Sequence, residues 1–133
     1  MIHRTSIRVI YGDTDQMGMA YHANFLRWFE IGRTEMFRHL GLSYRQIEQR
    51  GVYLPVAEVQ CRFMAPVYYD DILVIETRLD RAVKGGMKFD YTLGVEGRDG
   101  TCARGFTKHA CVDRDGRVVR PPAFIWEAVD NRS

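Results

Sequence analysis

Long apolar runs, blocks of like charge and paired-cysteine motifs are all missing from this 133-residue sequence. A membrane-spanning helix needs about 20 mostly apolar residues and a signal peptide needs an apolar core, and neither pattern is present. The 19 basic and 17 acidic residues give a net charge of +2, which argues against a dedicated nucleic-acid-binding protein. We therefore expect a soluble cytoplasmic protein with no membrane span and no nucleic-acid partner.

Cysteine is scarce, and its spacing is uninformative for metal or disulfide chemistry. Cys61, Cys102 and Cys111 cannot all pair within one chain, and no C-x-x-C motif occurs. Buried free thiols in a reducing compartment are the expected arrangement. The length and the 46% hydrophobic content predict a single domain, 1–133, with a substantial core.

Hydrophobic periodicity predicts one long helix among strands. A strand is expected at 5–11, a helix at 22–40 and a short helix at 43–49, in which Ser43 and Gln46 have capping-box spacing. Gly41 stands where a left-handed residue ends the long helix. Further strands are expected at 52–63, 72–83, 88–95, 102–112 and 117–120, with a terminal helical turn at 123–129. The fold class is α+β: an antiparallel sheet of about five strands packed on one central helix that is buried on most sides.

Reactive side chains concentrate between the first strand and the long helix. Asp15 and His22 flank the helix start, where unpaired N–H groups and the helix dipole favour negative charge and can hold an oxyanion. Two interpretations other than a catalytic site stay open for this segment, a turn and a metal site. Asp-x-Asp-x-x-Gly is a common turn sequence, and Asp13, Asp15 and His22 would supply three metal donors, with no fourth in sight. His3, His39 and His109 have no motif around them and are expected to be structural or exposed.

The same segment resembles the signature of the 4-hydroxybenzoyl-CoA thioesterase family, and within it the Tol-Pal-associated acyl-CoA thioesterases. The likeness covers about residues 5 to 120. It is carried by Arg8-Val9, Thr14-Asp15, Gly18-Met19, Tyr21-His22-Ala23-Asn24-Phe25, Glu30, Arg33, Gly51, Val56, Ala65-Pro66 and Asp71-Ile72. Members of this family have the hotdog fold, in which an antiparallel sheet wraps one long helix. The resemblance therefore implies a fold that agrees with the periodicity.

The resemblance also implies a function and a site. It implies a thioester hydrolase that cleaves a short-chain or aromatic acyl-CoA, with the CoA thioester as substrate and no cofactor or metal. Asp15 would be the nucleophile or general base, and the backbone N–H of His22 would polarise the thioester carbonyl. The side chains of His22 and Tyr11 would line the site.

Substrate binding would involve Gly18 of the signature and three basic residues near the CoA phosphates: Lys84, Lys88 and Arg120. Because hotdog sheets pair edge to edge, we expect at least a homodimer, and a homotetramer as the full assembly, with the active site at a subunit interface. Two alternatives remain: a hotdog-fold enzyme acting on acyl-carrier-protein thioesters or as a hydratase, and a non-catalytic acyl-CoA-binding module.

Overall fold

The computed structural model describes residues 1–132 and contains one five-stranded sheet with three α-helices. In chain order the elements are β1 Ile2–Arg8, α1 Asn24–His39, α2 Tyr44–Gln49, β2 Val56–Phe63, β3 Ile72–Asp80, β4 Gly86–Val95, β5 Ala103–Ala110 and α3 Ala123–Arg132. The strand order is β1-β3-β4-β5-β2, and every neighbouring pair is antiparallel. The predicted α+β class, with one long helix on an antiparallel sheet, is confirmed.

Helix α1 lies directly against the inner face of the sheet. Its apolar side is buried through five large side chains: Phe25, Trp28, Phe29, Met36 and Phe37. Gly32 lets the helix approach closely, since a Cβ there would lie only 2.4 Å from the Thr77 hydroxyl oxygen. The wide apolar arc of the sequence thus corresponds to a helix buried on most of its circumference.

The predicted residues at the ends of the helices are confirmed, whereas the prediction of a last strand at 117–120 is wrong. Gly41 has φ +81°, and Ser43 and Gln46 form a reciprocal capping box with bonds of 3.2 and 2.8 Å. Segment 117–120 makes only an isolated bridge between Val118 and Val112. The turn before it is held by Asp113, whose carboxylate accepts backbone N–H bonds and shortens the hairpin. The terminal helical turn is a ten-residue helix, α3.

The antiparallel register gives the sheet two distinct ends. Phe63, Ala103 and Leu93 are register partners at one end, which we call the Phe63 end. The β3–β4 hairpin lies at the other, where Gly86 pairs with Ala110; we call this the hairpin end. Along the ten residues of β4 the two ends are about 30 Å apart.

Strand β2 is an exposed edge. Its first and last residues are 48% and 52% exposed, and Val59 between them is 41% exposed. One side of β2 pairs with β5, and no strand of residues 1–132 covers the other side. Native proteins usually protect such an apolar edge, often by pairing it with another chain.

The three cysteines are free thiols, and two of them are buried. Burial raises the pKa of the half-buried Cys61 thiol to about 11, so this group is a poor nucleophile near neutral pH. Within residues 1–132, every helix is too short or too polar to cross a bilayer.

Candidate active site

The loop that follows β1 holds the carboxylate of Asp15 in a defined orientation. Asp15 Oδ1 accepts the backbone N–H of Met17 at 2.8 Å and of Met19 at 3.4 Å. The N–H of Asp15 donates to the Met19 carbonyl at 2.8 Å, and Gly18, with φ +79°, makes the tight reversal. In the part of the chain that the structure describes, Asp15 Oδ2 accepts no hydrogen bond, so it is available to a ligand.

Asp13 has a structural role two residues earlier. It is buried, its Oδ2 accepts the Ile10 N–H at 3.0 Å, and its Oδ1 accepts from Arg27 Nη2 at 2.5 Å. Its carbonyl accepts bonds of 2.7 Å from the Tyr21 N–H and the Asn24 side chain. Asp13 therefore ties the strand exit to the start of α1. Within the described chain, no three His, Cys, Asp or Glu side chains stand close enough to hold a metal ion.

The start of α1 offers an unpaired donor beside Asp15. The helix begins at Asn24, and the backbone N–H of His22 has no acceptor among residues 1–132. Free N–H groups at a helix start, together with the positive end of the dipole, stabilise a developing negative charge. The arrangement can thus hold an oxyanion next to a carboxylate.

A cavity of about 410 Å³ brings these groups together at the Phe63 end of the sheet. Its lining residues are Asp15, Met19, Ala20, His22, Phe25, Phe63, Met64, Ala65, Pro66 and Val67. One carboxylate and one imidazole therefore face a wall that is otherwise apolar. Such a pocket suits an apolar group attached to a polar reacting centre.

Two predicted residues lie outside this cavity in the protomer. Tyr11 is 74% exposed and stacks on Tyr69, with ring centroids 3.9 Å apart. In the protomer the short 3₁₀ turn Tyr11–Asp13 directs this ring onto a neighbouring loop and away from the cavity that Asp15 lines. Gly18 shapes the loop rather than lining the cavity.

A second cavity, also about 410 Å³, lies at the hairpin end of the sheet. Its lining residues are Val83, Lys84, Gly85, Gly86, Arg120, Pro121 and Trp126. Neither Lys84 nor Arg120 has an ion-pair partner among residues 1–132, and no carboxylate lines the cavity. Two of the three predicted phosphate-binding residues are thus brought together. Trp126 was not predicted to lie here, because a tryptophan in a terminal helix carries no motif of its own.

Lys88 does not join them. Its Nζ lies 3.4 Å from both Asp80 and Asp90 and stands over the ring of Phe106. The side chain of Lys88 points from β4 into a network of carboxylates on the outer face of the sheet. Within this protomer Lys88 is therefore separate from the cavity that Lys84 and Arg120 line.

One long helix packed on an antiparallel sheet, with a mostly apolar cavity at the start of that helix, is the arrangement that the comparison with known families has to match. The family model described as "Thioesterase-like superfamily" matches residues 9–129, and the chain belongs to this superfamily. The predicted family and the hotdog fold are confirmed, and with them the class of thioester hydrolases.

Individual relatives span most of the chain. YneP of Bacillus subtilis is 33% identical over 115 residues, covering 86% of this chain and 82% of YneP. The 1,4-dihydroxy-2-naphthoyl-CoA hydrolase of Thermosynechococcus vestitus is 31% identical over 131 residues, covering 94% and 89%. The crystal structure of the hypothetical protein TT1821 from Thermus thermophilus superposes with a TM-score of 0.88 at 33% identity, covering 98% of each chain.

Proposed function

We propose that this protein is an acyl-CoA thioesterase that hydrolyses a short-chain or aromatic acyl-CoA to the free acid and CoA. The observation that carries the proposal is the cavity that Asp15 and His22 both line, where Asp15 Oδ2 and the His22 backbone N–H have no hydrogen-bond partner within residues 1–132. The naphthoyl-CoA hydrolase among the relatives supports an aromatic acyl group.

The chemistry follows from these two groups. The thioester oxygen accepts the His22 N–H, which stabilises the charge that develops on this oxygen. Asp15 then either removes a proton from an attacking water or attacks the carbonyl through Oδ2. In the first route the tetrahedral intermediate expels the CoA thiolate directly. In the second route the CoA thiolate departs and an acyl-aspartyl anhydride forms, which water then hydrolyses. Both routes end with the free acid and the protonated thiol of CoA.

The cationic cavity suits the nucleotide end of CoA. Lys84 and Arg120, which have no ion-pair partner within residues 1–132, supply two positive charges for phosphates. Trp126 lies beside them with the Arg81 guanidinium 4.9 Å from its ring centroid, so any adenine ring would use the other face of the indole. No carboxylate in the lining opposes an anion. An acyl-carrier-protein thioester has no nucleotide to place there, so this cavity favours free CoA thioesters.

The two cavities lie at opposite ends of one sheet, so a second copy is needed to join them. If two copies pair through β2, a two-fold axis makes the strands antiparallel. The Phe63 end of one protomer then lies beside the Val56 end of its partner, which is the partner's hairpin end. The partner's cavity of Lys84 and Arg120 then lies two or three strand spacings, about 10–15 Å, from the Asp15 cavity across the sheet. The pantetheine arm of CoA is long enough to span this distance. The active site would thus be composite.

The exposed β2 edge predicts a homodimer at minimum, with a homotetramer as the full assembly. Light scattering at micromolar concentration should give at least twice the 15.5 kDa of the chain. Pairing is expected because Val56, Val59 and Phe63 leave a long apolar edge uncovered. A monomeric mass together with full activity would contradict the composite site.

Replacing Lys84 and Arg120 together by alanine should raise KM for acyl-CoA and leave kcat nearly unchanged. Phosphate contacts far from the carbonyl bind substrate and transition state equally, so they contribute to KM. The effect should shrink as salt is added, because both side chains are exposed. Acyl-pantetheine, which lacks the nucleotide, serves as the control substrate. Equal losses with both substrates would show that the two residues act through folding.

We also infer a cytoplasmic setting. Three cysteines remain free thiols, two of them buried, as is usual in a reducing compartment. Measuring the distribution of the tagged protein between cell fractions tests this inference directly.

A further inference from the structure

One wall of the Asp15 cavity is the segment 64–67, which has no regular secondary structure and follows β2. This wall is tied directly to the loop that carries Asp15, because the backbone N–H of Ala20 donates to the Val67 carbonyl at 2.7 Å. The neighbouring Met19 accepts the Asp15 N–H at 2.8 Å and donates its own N–H to Asp15 Oδ1 at 3.4 Å. A shift of the wall would therefore be passed on to the Asp15 carboxylate.

The wall continues into a tight turn, 68–71, which contacts the same loop. Tyr68 forms an isolated antiparallel bridge with Met19, and the Asp71 carboxylate accepts the Tyr68 N–H at 2.8 Å. Asp70 has φ +70° and is the one residue other than glycine within 1–132 with a positive φ. A residue in the left-handed region keeps that conformation only where surrounding contacts hold it. The turn therefore needs anchors outside its own four residues.

Arg98, on the turn between β4 and β5, is such an anchor. Its Nη1 donates to the Pro66 carbonyl at 2.7 Å, and its Nη2 donates to Asp71 Oδ2 at 2.9 Å. The guanidinium carbon also lies 5.6 Å from the ring centroid of Tyr68. The planar, forked guanidinium group suits two bonds in different directions, which a lysine ammonium cannot reproduce in the same geometry. One side chain thus holds a residue of the cavity wall and both ends of the turn that follows.

The surroundings of Arg98 indicate that it contributes little to the stability of the fold. Its side chain is 36% exposed, and exposed ion pairs add little to the free energy of unfolding. Arg8 on β1 anchors the same turn from another side, since its Nη1 donates to the Asp70 carbonyl at 2.8 Å. Loss of Arg98 should therefore leave the protein folded and loosen the cavity wall.

We propose that Arg98 is a positioning residue for thioester hydrolysis, acting on Asp15 through the wall 64–67 and Met19. The inference rests on the proposed function and deepens it, because Arg98 is not among the residues of 1–132 that line the cavity. A reacting group displaced by about 1 Å can lose about 10²-fold in rate. The effect of Arg98 should therefore appear in kcat.

The test measures kcat and KM for thiol release from benzoyl-CoA, butyryl-CoA and their pantetheine analogues. Arg98→Ala should lower kcat by about 10- to 100-fold with CoA and pantetheine thioesters alike, because both share the reacting end, and should change KM little. Arg4→Ala is the matched control: it removes an exposed arginine and its ion pair with Glu76, and should keep the wild-type kcat. Circular dichroism shows whether each variant is folded.

Two further variants separate positioning from a general structural role. In an Asp15→Asn background the group that Arg98 positions is gone, so adding Arg98→Ala should cost at least about threefold less than it costs in the wild-type protein. Arg98→Lys keeps a positive charge beside Asp71 but cannot also donate to the Pro66 carbonyl. Its kcat should lie between those of the wild-type protein and Arg98→Ala.

Three results would overturn the inference and leave the proposed function standing. These are an unchanged kcat in folded Arg98→Ala, an equal loss in Arg4→Ala, and the same fold-loss from Arg98→Ala in the wild-type and Asp15→Asn backgrounds. If Arg98→Ala does not fold, Arg98→Lys replaces it in both backgrounds and the same comparison decides. Failure of the proposed function would appear instead as no hydrolysis of any of these thioesters by the wild-type protein.

Discussion

Asp15→Asn should lower kcat for acyl-CoA hydrolysis by about 10²–10⁴-fold and change KM little. Asparagine keeps the shape of the side chain, and its amide oxygen can still accept the N–H groups of Met17 and Met19. It cannot remove a proton from water or attack a carbonyl, and both losses fall on the transition state. Steady-state thiol release, with circular dichroism to show that the variant is folded, measures the effect.

The matched control is Asp115→Asn. It makes the same chemical change on an exposed turn, where the side chain has no hydrogen-bond or ion-pair partner within residues 1–132. Asp13 is unsuitable as a control, since it is buried and paired with Arg27, and its replacement would disturb the helix start. If Asp15→Asn stays folded and hydrolyses acyl-CoA within about threefold of the wild-type rate, far from the range expected for a lost base, Asp15 is only a turn residue.

Gly105→Ala should give the largest loss of stability among single small substitutions in the sheet. A Cβ at Gly105 would lie 2.1 Å from the backbone oxygen of Gln60 on β2 and 2.8 Å from the ring of Phe29 on α1. Backbone in a paired strand cannot yield cheaply, so we expect a loss of about 1–3 kcal/mol in the free energy of unfolding. Thermal or urea unfolding of the variant measures it.

Gly94→Ala is the control for this substitution. Its added Cβ would meet only the Gly100 oxygen at 3.5 Å, an ordinary contact in the same sheet. Because Gly105 lies between β2 and α1, its replacement should also lower activity by shifting the edge that carries Phe63. Equal unfolding free energies for the two variants would show that the backbone of β2 is not packed closely against Gly105 in solution.

Periodicity and local turn chemistry were enough to predict most of the architecture. The buried arc of α1, the capping box at Ser43 and the left-handed Gly41 depend on residues within a few positions of one another. These three features could therefore be predicted from the sequence. The prediction of a strand at 117–120 was wrong because the Asp113 carboxylate accepts the backbone N–H groups of Asp115 and Arg117, which a longer hairpin would have paired with backbone carbonyls.

The sites were only partly predictable, for a different physical reason. Asp15 and His22 share one loop, so their meeting could be predicted from the sequence. A buried hydrogen-bonded series joins Tyr91 on β4 to Thr107 and His109 on β5, and no local sequence pattern marks it. Lys88 shows the opposite case. The family resemblance grouped it with Lys84 and Arg120, but the alternation of β4 places its side chain beside Asp80 and Asp90 on the outer face of the sheet.

The measurement that tests the central claim most directly is the initial rate of thiol release across a panel of short-chain and aromatic acyl-CoA thioesters, with wild-type protein and Asp15→Asn side by side. The account predicts turnover well above the spontaneous rate for at least one thioester, and its loss in Asp15→Asn. Absence of turnover with every thioester, or equal turnover by the two proteins, would contradict it.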